Sequence, residues 1–81
     1  MSRKLIYFST PWCGPCKTFK PIMEKLKHDI PIQFVDDEIS PLYGEYFIRS
    51  VPTVVLIEGG REIDRFTGVK SESQVIQFFN Q

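Results

Sequence analysis

The chain's two cysteines, Cys13 and Cys16, are separated by two residues and fall where the hydrophobic pattern changes period. Upstream, Lys4-Leu5-Ile6-Tyr7-Phe8-Ser9 contains a short continuous apolar run. Downstream, Phe19, Met23, Leu26 and Ile30 recur at helical spacing. The pair, with the only tryptophan, Trp12, just before it, therefore sits at a strand-to-helix turn. Unpaired backbone N–H groups and the positive end of a helix dipole activate a thiol at such a position. A cysteine pair at this spacing has three explanations: a redox couple, half of a metal site, or a structural staple.

The rest of the chain supplies the frame around this turn. Leu5 to Ser9 reads as a strand buried on both faces, as a central strand is. Thr10-Pro11 ends it, because the residue before a proline avoids the helical region. A helix is expected from near Cys13 to about Asp29, with Phe19, Ile22, Met23, Leu26 and Ile30 as its inward stripe. Pro21 should kink it, and Pro31 closes the segment. Ile32 to Asp36 reads as a second strand, parallel to the first through a right-handed crossover. Ser40-Pro41 starts a short helix carrying Leu42, Tyr43, Tyr46 and Phe47, weakened by Gly44. Val54 to Ile57 is a β-branched strand, Gly59-Gly60 a hairpin turn, and Arg61 to Thr67 a half-exposed edge strand. Ser71 and Gln74 form a capping box before a last helix whose inward stripe is Val75, Ile76 and Phe79, with Phe78 beside it. The order is β-α-β-α-β-β-α, an α/β architecture with a four-stranded mixed sheet and helices on both faces.

At 81 residues the chain is expected to be one domain over 1–81. A chain this small buries about 60% of its unfolded surface, and with 42% hydrophobic residues it has enough apolar side chains for a compact core. Ten basic residues balance ten acidic ones, so nothing points to nucleic acid or an anionic membrane. The apolar run after Met1-Ser2-Arg3-Lys4 is too short for a secretory leader, and no run approaches the ~20 residues of a membrane span. A cytoplasmic, monomeric protein is the expectation. In a reducing compartment a cysteine pair is more often catalytic or metal-binding than structural.

These residues resemble the thioredoxin family. Trp12-Cys13-Gly14-Pro15-Cys16-Lys17 is similar to that family's active-site motif residue for residue. Pro21 resembles its kink proline and Val51-Pro52-Thr53 its cis-proline loop, and Gly60 and Gly68 fall at its spacing beyond that proline. The similarity runs from Leu5 onward, without the extra strand and helix that usually precede this core, so a minimal thioredoxin fold is implied. Two positions depart. Tyr7 stands where thioredoxins usually carry a buried acid, six residues before the first cysteine, and Gln33 stands where they carry a lysine. The acid's role in proton transfer with the second cysteine is therefore not carried over. Tyrosine there also resembles the tryparedoxin and nucleoredoxin relatives.

Cys13, at the helix N-terminus, is expected to be the thiolate nucleophile, and Cys16, one turn deeper and less exposed, the resolving thiol. Gly14 leaves the approach to sulfur open, and Pro15 lies where a missing N–H costs little. A staple over so short a loop would stabilise by only about 2 kcal/mol. Structural zinc needs four ligands, and His28 is the sole other Cys or His. The resemblance implies a thiol-disulfide oxidoreductase with no bound cofactor beyond the redox-active Cys13–Cys16 disulfide. It would reduce disulfide-containing proteins and draw electrons from an NADPH-dependent reductase resembling thioredoxin reductase. The rival readings are a glutaredoxin- or redoxin-type donor to one dedicated target, and a non-catalytic partner-binding module. Trp12, Gly14, Pro15, Val51, Pro52 and Gly68 are the expected binding face, with Trp12 partly exposed and the Val51–Pro52 bond cis. Tyr7 reads as a buried strand aromatic; the alternative is that its hydroxyl reaches the neighbourhood of Cys16, directly or through water, as a candidate proton-transfer group. Asp36 and Asp37 read as solvated acids at a strand end.

Overall fold

The two stretches that are apolar at consecutive positions become the two central strands. The computed structural model describes residues 2–81. Its strands are β1 (Arg3–Phe8), β2 (Ile32–Val35), β3 (Thr53–Glu58) and β4 (Arg61–Thr67), arranged in one four-stranded sheet of order β2-β1-β3-β4. Leu5 to Phe8 and Val54 to Ile57 are buried at every position, because each of these strands is covered on both faces. β1 runs parallel to β2, from Leu5 opposite Ile32 to Phe8 opposite Val35, and antiparallel to β3. Gly59 and Gly60, with φ of 60° and 81°, turn β3 back into β4, the left-handed pair that a two-residue hairpin requires.

Three helices complete the expected order: α1 (Gly14–Leu26), α2 (Pro41–Glu45) and α3 (Glu72–Phe79). The two-residue alternation of β1 and β3 divides the core. Leu5, Tyr7, Val54 and Leu56 face Phe19, Met23 and Leu26 of α1 and Val75 of α3. Ile6, Phe8, Val55 and Ile57 face Leu42, Tyr43, Tyr46 and Ile48 in and after α2. The capping box of α3 is formed: Ser71 Oγ accepts from the Gln74 N–H at 3.3 Å, and Gln74 Oε1 accepts from the Ser71 N–H at 2.9 Å.

Three departures of the structure from the sequence reading have clear physical causes. β1 begins at Arg3, before the apolar run, because Arg3 lies opposite Glu58. Its Nε donates to Glu58 Oε1 at 2.8 Å, and its Nη1 donates to the carbonyls of Phe79 (2.7 Å) and Gln81 (2.6 Å). The cation thus sits on the orphan carbonyls after α3, where the helix dipole favours it. α1 ends at Leu26 rather than Asp29. The N–H groups of Asp29 and Ile30 both reach back to the Leu26 carbonyl, at 3.0 and 2.8 Å. This turn still drops Ile30 into the core, and Pro31 disfavours any helical continuation through Ile30. In α3, Ile76 points outward and is 38% exposed. Val75, Phe78 and Phe79 form the inward face, since positions three and four on from Val75 share its side of the helix.

The C-terminus of α2 follows a pattern the sequence did not reveal. The Phe47 N–H bonds to the Gly44 carbonyl, and the Ile48 N–H bonds to the Tyr43 carbonyl. Phe47 has φ 53°. This is a Schellman closure with phenylalanine in the left-handed position that usually holds glycine.

Candidate active site

The first turn of α1 carries the disulfide. Cys13 is the N-cap residue, in extended conformation, and its Sγ accepts the backbone N–H of Cys16 at 3.2 Å. Cys13 and Cys16 are joined by a disulfide, their Cα atoms 5.3 Å apart. Pro15 lies within the first helical turn, where an N–H would have no intrahelical partner. The side of Gly14 is open, with nothing within 4 Å of where a Cβ would stand. One expectation changes. Cys13 and Cys16 are 4% and 3% exposed, so burial does not separate them. Their surroundings do: Cys13 Sγ accepts a helix N–H, whereas Cys16 sits inside the turn over Tyr7 and borders a cavity that also reaches Ser9, Lys20 and Asp36.

Two further segments reach the same end of the sheet, where β1 and β4 stop and β3 starts. The Val51–Pro52 peptide bond is cis. Gly68, with φ 88°, donates its N–H to the Pro52 carbonyl at 2.9 Å, which ties the end of β4 to the proline loop. Trp12 is 67% exposed, and its Nε1 donates to Glu38 Oε1 at 3.4 Å. Between Trp12 and Val51 lies a groove of about 330 Å3, bounded also by Thr10, Tyr43 and Arg49.

Beneath the disulfide, Tyr7 is fully buried, between Phe19 and Phe34 in edge-on contact. Its hydroxyl donates to the Cys16 carbonyl at 3.4 Å. Burial pushes the phenol pKa up to about 12; the Ser9 hydroxyl opposes the shift and the Asp36 carboxylate adds to it. At neutral pH Tyr7 is therefore a neutral hydrogen-bond donor, able to hold the first turn of α1 but unable to accept a proton. Gln33 lies on the exposed edge of the sheet and accepts from Lys4 Nζ at 2.9 Å.

Asp36 is a solvated acid, as expected, its side chain 49% exposed, and it also belongs to a cluster. The parallel register that sets Phe8 beside Val35 carries Ser9 to Asp36. Ser9 Oγ donates to Asp36 Oδ1 at 2.9 Å, and Lys20 Nζ lies 3.6 Å from Asp36 Oδ2. Sequence reasoning missed this cluster because it depends on strand register. Asp37 instead accepts the Ile39 N–H at 3.0 Å in a local turn.

A disulfide at the N-terminus of the first helix, together with a cis-proline loop leading into a strand of the same mixed sheet, defines a class of dithiol-disulfide proteins. The family model for thioredoxin matches residues 1–81. Thioredoxins of Chlamydia caviae and Chlamydia trachomatis are 35% and 37% identical to this chain, over 95% of it and 79% of their own length. Among solved structures, Malassezia sympodialis thioredoxin superposes with a TM-score of 0.80 at 31% identity, covering 98% of this chain and 73% of that one. Fasciola hepatica thioredoxin does so with 0.80 at 29% identity, covering 96% and 78%. The chain belongs to the thioredoxin family and is a protein-disulfide oxidoreductase of that type. No helix among the described residues is long and apolar enough to cross a membrane.

Proposed function

We propose that this chain works as a single domain that reduces protein disulfides by cycling Cys13 and Cys16 between dithiol and disulfide. The observation that carries the assignment of roles is the Cys16 N–H on Cys13 Sγ. A donor fixed at a helix N-terminus favours negative charge on that sulfur, and the thiolate is the nucleophile. Cys13 attacks the substrate disulfide and forms a mixed disulfide. Cys16 then attacks Cys13 and releases the reduced substrate.

Trp12, Gly14, Pro15, Val51, Pro52 and Gly68 form the substrate face. The open side of Gly14 supports an unhindered line of attack, and the exposed indole of Trp12 supports an apolar contact beside it. A substrate in extended conformation would pair with the backbone of Val51, as added strands do. The oxidised pair would be returned to dithiol by an NADPH-linked reductase of the thioredoxin-reductase type, in the cytoplasm, as part of electron transport and cell redox homeostasis.

Insulin reduction tests this reading, with either a thioredoxin reductase and NADPH or glutathione as electron source. Reduction sustained by the reductase, lost in Cys13→Ser, and arrested as a mixed disulfide in Cys16→Ser supports it. Full activity in Cys13→Ser would refute the assigned roles. Turnover with glutathione alone would favour the glutaredoxin-like donor, and unimpaired cellular function of Cys13→Ser would favour the non-catalytic module.

A further inference from the structure

The resolving step requires the Cys16 thiol to lose a proton, and Tyr7 cannot accept it at neutral pH. Cys16 borders a cavity of about 250 Å3 whose wall includes Ser9, Thr10, Lys20 and Asp36. The cavity opens to the surface, and Ser9, Lys20 and Asp36 give solvent there hydrogen-bonding partners. Thr10 is 6% exposed, and its Oγ1 is a buried side-chain oxygen without a hydrogen-bond partner among the described residues. The same cavity is lined by the half-exposed Asp36 carboxylate, which accepts from Ser9 Oγ at 2.9 Å and lies 3.6 Å from Lys20 Nζ.

From this geometry we infer that Asp36 is the proton acceptor for Cys16, through solvent in this cavity, with Ser9 as its positioning residue. The inference rests on the dithiol reading above. In the mixed disulfide, the Cys16 S–H bond breaks and its proton passes through water to the Asp36 carboxylate. The sulfur electron pair attacks Cys13 Sγ. The Cys13–Cys16 bond forms as the Cys13–substrate bond breaks, and the substrate sulfur leaves as a thiolate. The protein dithiol is oxidised and the substrate disulfide reduced; Asp36 then returns its proton to solvent. The groups around Asp36 are Lys17 and Lys20 of α1, Tyr7 of β1 and Tyr43 of α2, with Asp37 next in the chain. Both phenols stay neutral, each raised to about 12.

Stopped-flow reaction of the reduced protein with an aromatic disulfide that releases a coloured thiol separates the two steps. Attack by Cys13 gives a phase proportional to reagent concentration. Resolution by Cys16 gives a phase independent of it. In Asp36→Asn the second phase is expected to slow by at least about tenfold at neutral pH, within the range for loss of a general base, and to rise with hydroxide concentration. The first phase should change much less. Asp36→Glu should restore the original pH profile, and Glu24→Gln, the same charge change on the surface of α1, should leave both phases as they were. A resolution rate and pH profile in Asp36→Asn matching the parent would overturn the inference, as would equal slowing of both phases. If the parent protein shows no second phase, the dithiol reading itself fails and the inference with it.

Discussion

Replacing Tyr7 with phenylalanine tests the description of the ground beneath the disulfide. The ring keeps its edge-on contacts with Phe19 and Phe34, and only the hydroxyl is lost. At neutral pH the change should be small, about 0.5 kcal/mol, the low end for a neutral hydrogen bond, because the partner carbonyl of Cys16 is 3.4 Å away. The larger effect lies at alkaline pH. Burial raises the folded-state pKa from 10.0 to about 12. Between those values the unfolded chain loses its phenolic proton while the folded chain keeps it. The unfolded state then binds fewer protons, so stability falls as pH rises. The contribution is complete below the unfolded value and is lost as pH climbs toward the folded one. A two-unit difference corresponds to about 3 kcal/mol, of which roughly half is gone by about pH 11. Tyr43, also raised to about 12, is present in both proteins and largely cancels in the comparison. Urea unfolding of the oxidised proteins, followed by far-ultraviolet circular dichroism from about pH 8 to pH 11, measures the difference. The parent should lose stability faster than Tyr7→Phe by on the order of 1 kcal/mol over that range. Equal slopes would refute the buried, protonated phenol.

Other variants probe the frame. Ser71→Ala removes the oxygen that accepts from the Gln74 N–H and should cost about 1 kcal/mol by urea unfolding. Met23→Ala, at a fully buried position of α1, should cost about 2–5 kcal/mol. Ile76→Ala, on the outward face of α3, should cost less than about 1 kcal/mol by the same assay; a cost like that of Met23 would contradict that orientation. Phe47→Gly should raise stability by about 0.5–1 kcal/mol, because relief of the left-handed conformation outweighs the added freedom of the unfolded chain. A lowered melting temperature would show instead that the exposed ring contributes contacts.

Much of the frame was legible because it is written locally. The box at Ser71 and Gln74, the stop at Pro31, the turn at Gly59-Gly60 and the uninterrupted apolar runs of β1 and β3 each carry their cause within a few residues. The motif from Trp12 to Lys17, with Val51-Pro52, likewise located the disulfide and the cis bond. What escaped depends on contacts distant in sequence. Arg3 joins β1 only because Glu58 and the end of α3 meet there. Asp36 reaches the Cys16 cavity only because the β1–β2 register delivers it to Ser9. Cys16 was expected to be markedly deeper than Cys13, but helical position alone says nothing of the loops that cover both. Ile76 was misassigned because an apolar residue beside Val75 can fall on either side of a helix boundary when only eight residues define the stripe.

The central claim is that Cys13 and Cys16 form one reversible couple. Equilibrating the protein across a series of glutathione redox buffers, quenching with an alkylating agent and weighing the products by mass spectrometry tests it most directly. A single transition between a doubly alkylated and an unalkylated chain, fitted by a two-electron couple, is expected. A population dominated by singly alkylated chains, or a pair that remains in one state across the whole series, would contradict it.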